Sequence, residues 1–215
     1  MTVGAVSPGP PAADAPGGAN GRFAMSIDVE DYFQVWAFSG VVARRDWDGY
    51  APRVEPNTLG WVAERYPRLI RDIAARGHEI ASHGYDHVKV FDQSPEEFRA
   101  DAAKTRRILQ DAGGKTVRGY RAAGFSIDRR TPWAYEILAE IGYAYSSSSH
   151  PIAHDHYGDP NGARVPHRPA AGREIIEAPV ATAQIVGRRI SCAGGGWFRA
   201  APYALSAKLI DAAAR

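Results

Sequence analysis

The chain has one cysteine among its 215 residues, Cys192, so no disulfide can close within it. It has no continuous apolar run near the roughly 20 residues that a membrane-spanning helix needs. An excess of one charge sign is missing too: 26 Lys and Arg stand against 24 Asp and Glu, for a net charge of +2. The basic residues are scattered, which leaves no electrostatic footprint for nucleic acid. The opening stretch, "MTVGAVSPGPPAADAPGGANGR", lacks both the basic start and the apolar core of a secretory signal. Residues 1–22 therefore read as a disordered Pro/Gly/Ala-rich tail, and no internal repeat follows. At 45% hydrophobic and 23% charged, the remainder reads as a globular protein of ordinary composition, expected to be cytoplasmic, with one main core.

What is present begins with "SIDVEDYF", which sets Asp28, Glu30 and Asp31 into a segment patterned as a buried strand. Charge at that density is costly to bury unless it is paired or binds something. In a strand from Phe23 to Val35, the two-residue period puts Asp28 and Glu30 on one face. Further on, "LGWVAERYPRLIRDIAARG" keeps helical spacing through Val62, Tyr66, Leu69, Ile70 and Ile73, and predicts one amphipathic helix ending at Gly77. "HEIAS" reads as a short strand. "SPEEFRADAAKTRRILQDAGG" predicts a second helix, with Ser94 and Glu97 in capping-box spacing, a stripe of Phe98, Ala102, Thr105, Leu109 and Ala112, and a stop at Gly113.

"TVRGYRAAGFSI" follows as strand and loop, "DRRTPWAYEILAEIGY" as a third helix and "AYSSSS" as a strand. A long polar loop runs from Ser149 to Arg173, "REIIEAPVATAQIVGRRI" gives two short strands, and "APYALSAKLIDAAAR" a last helix. The alternation of strand and helix predicts an α/β fold with a parallel sheet or barrel.

In that architecture the loops beyond the C-terminal strand ends gather side chains into one site. Three groups reach it: Asp28 with Glu30, His83 with His87 in "SHGYDH", and Arg121 in "GYRAAGF". A carboxylate with two imidazoles, leaving coordination positions open, is how a protein holds a catalytic divalent metal such as zinc. Each group also has a plainer reading. The carboxylates fit a solvated edge or a set of salt bridges, the histidines a surface or capping role, and Arg121 a structural ion pair. His78 reads as structural; His150, His154, His156 and His167 read as exposed loop residues; Cys192 reads as a small buried side chain.

Taken in order, "MSIDVEDYFQV", "GHEIASHGYDH", "RGYRAAGFSID" and "GYAYSSSSHPIAHDHYG" resemble the polysaccharide deacetylases of carbohydrate esterase family 4, the NodB-homology fold. The closer likeness is to the subgroup of bacterial exopolysaccharide and exosortase loci, in which "CAGGGWFR" belongs to an appended C-terminal region. The resemblance implies a distorted (β/α) barrel over residues 23–173, with a partial extension over 174–215. It implies hydrolysis of N- or O-acetyl groups from an acetylated polysaccharide or oligosaccharide, with one divalent metal, zinc foremost.

Asp28 matches the base, Arg121 the arginine that tunes it, and His83 and His87 the metal-binding histidines. Glu30 fits the acidic ligand, with Asp31 as fallback. His154, with Tyr157 beside it, sits in what looks like the substrate-facing loop. In such a site the metal polarises the acetyl carbonyl while Asp28 takes a proton from water.

This sequence departs from the family pattern twice. Relatives carry a strand and a motif with leucine and the proton-donating histidine beyond the point matching Arg215, and a strand and helix between "RVEPNT" and "LGWVAERYP". The expectation is therefore an incomplete barrel, internally shortened and truncated. A glycan-binding remnant without turnover and a metal-dependent phosphoesterase are the alternatives.

Overall fold

The computed structural model describes residues 26, 28, 42–49, 59–154, 157–192 and 201–213. The expected first strand, apart from Ser26 and Asp28, lies outside the described residues, as do residues 1–22 and the glycine run after Cys192.

The sequence 59–77 folds as two helices, α1 (Gly60–Arg65) and α2 (Pro67–Ala75). This corrects the single helix that apolar spacing predicts. Pro67 has no amide to donate and restricts the residue before it, so Tyr66 leaves helical geometry at φ −124°, ψ 56°. Pro67 instead opens the second helix, where its missing N–H costs nothing. Tyr66 is consequently exposed, whereas Ile70 and Ala74 pack inward.

Helix α3 (Pro95–Gly113) has the capping box: the Ser94 hydroxyl accepts from the Glu97 amide and the Glu97 carboxylate accepts from the Ser94 amide. Gly114, at φ 64°, caps its end, one residue beyond the expected stop. All five stripe residues of α3 are buried. Helix α4 (Trp133–Ile141) starts later than its pattern suggests. Residues 128–131 form a side-chain-stabilised turn in which the Arg130 amide donates to Asp128 at 2.9 Å, a local alternative to helix. The Arg106 guanidinium from α3 donates to the carbonyls of Val117, Ile141 and Gly142, tying α3 to the end of α4.

Strands β1 (Gly119–Tyr120), β2 (Tyr145–Ser146) and β3 (Ile176–Glu177) form a parallel sheet in that order. "HEIAS" contributes a single parallel bridge, Ser82 to Tyr120, rather than a full strand. The spatial order is thus Ser82, β1, β2, β3, with α3 and α4 as the crossovers, which is the α/β arrangement expected. Among the described residues the sheet is open, as an incomplete barrel would leave it. Phe98 of α3 meets Tyr120 of β1 and Trp133, the first residue of α4, edge-on, each at 5.6 Å between ring centroids, and so pins the helical layer to the sheet.

Past β3 the chain forms an antiparallel hairpin, β4 (Thr182–Ile185) and β5 (Arg188–Ser191), against which helix α5 (Tyr203–Ala213) packs through Leu209. Three strands therefore occupy the region where the sequence pattern shows two. The hairpin turn places Val186 at φ 47° and Gly187 at φ 75°, the left-handed pair that a two-residue turn needs.

Candidate active site

Parallel pairing makes neighbouring segments leave the sheet at the same end, and here it gathers the polar side chains. The Ser82 amide donates to Gly119 at 2.9 Å, Arg121 donates to the Ser82 carbonyl at 2.8 Å and Ser147 to Tyr120 at 2.9 Å. His83, Arg121 and Ser147 consequently emerge side by side from the C-terminal ends of the strands, where parallel sheets carry their chemistry.

Arg121 is the hub. Its Nε donates to the Ser147 carbonyl and its Nη2 to the Ser147 hydroxyl, both at 3.0 Å, while Nη1 donates to Asp28 Oδ1 at 2.9 Å. The planar guanidinium is spread over two partners and fixed on both edges. Asp28 has 33% of its side chain exposed and Arg121 17%, so the pair lies at a mouth rather than in the core. Burial works against the Asp28 charge, but His83, Arg121 and His87 together outweigh it and hold the carboxyl below its ordinary range. An ionised carboxylate beside a fixed cation is what a general base needs to be.

His83 is buried, and its Nδ1–H donates to the Arg121 carbonyl at 2.9 Å. When the ring is neutral, that bond leaves its lone pair on Nε2, the tautomer of a metal-binding imidazole held by a backbone carbonyl. His87 sits at φ 56°, in the left-handed region, a conformation that costs a non-glycine residue of order 1–3 kcal/mol and concentrates at functional sites. Its ring meets that of His83 at 5.0 Å between centroids.

Two imidazoles beside one carboxylate are a donor set of the right chemistry for a divalent cation. Glu30, the expected third ligand, and Asp31 lie outside the described residues. Among the described residues no group of three His, Cys, Asp or Glu is close enough to hold a metal by itself.

The His83–His87 loop is anchored from below by a residue that sequence reasoning passed over. Asp101 of α3 accepts from the Tyr85 amide through both carboxylate oxygens, at 3.2 and 3.1 Å. Its signal was available: it is an acidic residue adjoining the buried stripe of α3 between Phe98 and Ala102. Burial pushes its carboxyl up to about 6, against the opposing pull of the Tyr85 amide.

On the other side of Arg121 runs a row of rings. The guanidinium lies 5.7 Å from the Phe125 centroid, Phe125 is 5.8 Å from Tyr157, and Tyr157 stacks on His154 at 4.0 Å. His154 is exposed, as expected of the loop. His150 is not: it is 3% exposed, stacks on Tyr157 and shares a hydrogen bond with the Ser191 hydroxyl at 3.1 Å. This corrects the exposed-loop reading, because β5 and Phe125 close over the imidazole; burial drives it down to about 4. His167 is half-buried and its backbone pairs with Glu177, while His156 lies outside the described residues. Cys192 is buried beside Ala183 and Leu209, as a small core side chain.

Comparison with known proteins finds two family matches along the chain. Residues 57–146 match the family described as polysaccharide deacetylase. Residues 147–215 match a domain of unknown function, DUF3473. The chain is therefore similar to polysaccharide deacetylases over its central part and to the DUF3473 domain over the residues that follow.

It is 32% identical over 79 residues to a peptidoglycan-N-acetylglucosamine deacetylase of Bacillus cereus, covering 36% of this chain and 29% of that protein. The match thus spans less than a third of the curated relative. A crystal structure described as a polysaccharide deacetylase from Mycobacterium smegmatis is 30% identical, covering 57% of this chain and 38% of its own at a TM-score of 0.46. A family 4 carbohydrate esterase from Streptomyces lividans, in complex with acetate, is 20% identical, covering 41% and 44% at a TM-score of 0.38.

Proposed function

We propose that this chain hydrolyses acetyl groups from a polysaccharide with the help of one divalent metal, and that its substrate is a bacterial exopolysaccharide. The observation that carries the reading is the Asp28–Arg121–His83 arrangement: a carboxylate held ionised by a fixed guanidinium, whose own backbone carbonyl sets the tautomer of a neighbouring imidazole. His83 and His87, with Glu30, would hold the metal. When bound, a cation such as zinc supplies Lewis acidity toward the acetyl carbonyl and makes water easier to deprotonate.

The chain's own residues do the rest. Asp28 takes a proton from the attacking water, and Arg121 keeps that carboxylate oriented and, until the proton arrives, charged. The Phe125–Tyr157–His154 row forms a wall for a sugar ring, and His154, the exposed end of the row, is the proton donor to the departing amine. A positioned acid of this kind contributes 10²–10⁴-fold, roughly 3 to 5 kcal/mol of barrier.

Zinc content of the purified chain, beside a His83→Ala, His87→Ala double variant, tests the metal assignment. One equivalent in the parent and none in the variant is expected; equal content in both would overturn it.

A further inference from the structure

Behind the segment that carries Ser147 lies a carboxyl group of β3, fully inside the protein. Glu177 of β3 is 0% exposed, and a carboxyl group with no access to water is costly unless its acceptors are used. Its Oε1 accepts from the Ser148 amide at 2.9 Å, the Ser149 amide at 2.9 Å and the Ser149 hydroxyl at 3.0 Å. Two successive amides converging on one oxygen fix the direction in which the chain leaves β2. The sheet itself does not need this: β2 and β3 are already joined by backbone bonds, Ile176 to Ala144 at 3.1 Å and Ala178 to Ser146 at 2.8 Å.

What the carboxyl adds lies one residue beyond the ladder. The segment it grips starts next to Ser147, whose carbonyl and hydroxyl both accept from Arg121. On the far side the Ser148 hydroxyl accepts from the Ala122 amide at 2.9 Å and bonds the Ser146 hydroxyl at 2.7 Å, so the residue after Arg121 is tied to the same segment. Tyr135 of α4 packs its hydroxyl against this carboxyl; burial first, and then Glu177 itself, push that hydroxyl upward.

We propose that Glu177 is a positioning residue for the active site: by gripping the Ser148 and Ser149 amides it sets Ser147, which sets Arg121, which orients Asp28. The inference rests on the deacetylase reading only for its catalytic consequence, since the chain of bonds stands without it. A base held off its line of attack loses rate rather than affinity, and misplacement by an ångström costs up to about 100-fold. Because Glu177 touches neither His83 nor His87, metal binding is untouched by its loss.

The test compares the parent chain with Glu177→Leu and Glu177→Gln. Two readouts are taken: exchange of the Arg121 Nε–H by NMR, and acetate release from an N-acetylated chito-oligosaccharide with zinc present. In Glu177→Leu the exchange is expected to quicken about ten-fold or more and kcat to fall about ten-fold, with KM and zinc content unchanged. Glu177→Gln keeps an acceptor for the two amides and should return both readouts to within about three-fold of the parent.

If Glu177→Leu does not fold, Glu177→Asp withdraws the carboxyl from the amides by one methylene and must show the same quickened exchange. A folded Glu177→Leu or Glu177→Asp with the parent's Arg121 protection overturns the proposal. Quickened exchange in a chain whose parent releases no acetate supports the positioning role and counts against the deacetylase reading alone.

Discussion

Replacing Asp101 by Asn should make the protein more stable above pH 6 and leave it nearly unchanged near pH 4. Asp101 holds the loop between the two site histidines through a single donor, the Tyr85 amide, shared between its two oxygens at 3.2 and 3.1 Å. An Asn carbonyl can accept the same bond. The charge, by contrast, is unwelcome: burial first raises the carboxyl from 3.8 to about 6, Asp86 pushes in the same direction, and the Tyr85 amide and Lys104 only partly oppose them.

Because the folded state holds this proton more tightly than the unfolded chain does, the protonated form's advantage is complete at low pH. It is lost as pH rises from about 4 through about 6. A shift of about two units corresponds to roughly 3 kcal/mol at most; Asp101 keeps some access to water, so the loss is about 1–3 kcal/mol. Urea unfolding of parent and variant across that range measures it. The variant's advantage should open between pH 4 and 6 and stay constant above. Two stability curves that run parallel across the range would refute the reasoning.

Val186, 97% exposed at φ 47°, sits where a β-branched residue is strained, so Val186→Asn should raise stability by about 1 kcal/mol, read as a higher urea midpoint with an unchanged slope. Gly119 has no room for a side chain: a methyl group there would overlap the Tyr145 ring, which the neighbouring strand holds beside it. Gly119→Ala should therefore cost about 1–3 kcal/mol by forcing that ring aside, and a variant as stable as the parent would show that Tyr145 moves freely.

Local pattern carried much of the fold. The capping box and the whole buried stripe of α3 were legible because a helix of 19 residues repeats its signal over several turns. Apolar spacing predicts one helix where α1 and α2 stand, because it continues smoothly through a proline whose backbone effect outweighs it. Strands of two residues leave almost no periodic signal, which is why "HEIAS" looked longer than the single bridge it makes and β3 merged with the hairpin.

At the site, His83, His87, Asp28 and Arg121 could be named from residue type and order, and the structure brings these four together. Asp101 and Glu177 could not be given a role that way. Each acts on the backbone of a segment distant in sequence, Tyr85 in one case and Ser148 in the other, and only the folded chain shows those encounters. The sequence pattern puts His150 in solvent for the same reason, since the hairpin residue that meets it lies 41 residues further on.

The central claim is that Asp28 is the base of a metal-assisted hydrolysis and not a ligand. Acetate release from an N-acetylated chito-oligosaccharide, measured with zinc for the parent and for Asp28→Asn alongside the zinc content of each, tests it most directly. The account predicts turnover in the parent and a loss of at least about 100-fold in the variant, with zinc content equal in the two. Undiminished turnover in Asp28→Asn, or loss of its zinc, would contradict it.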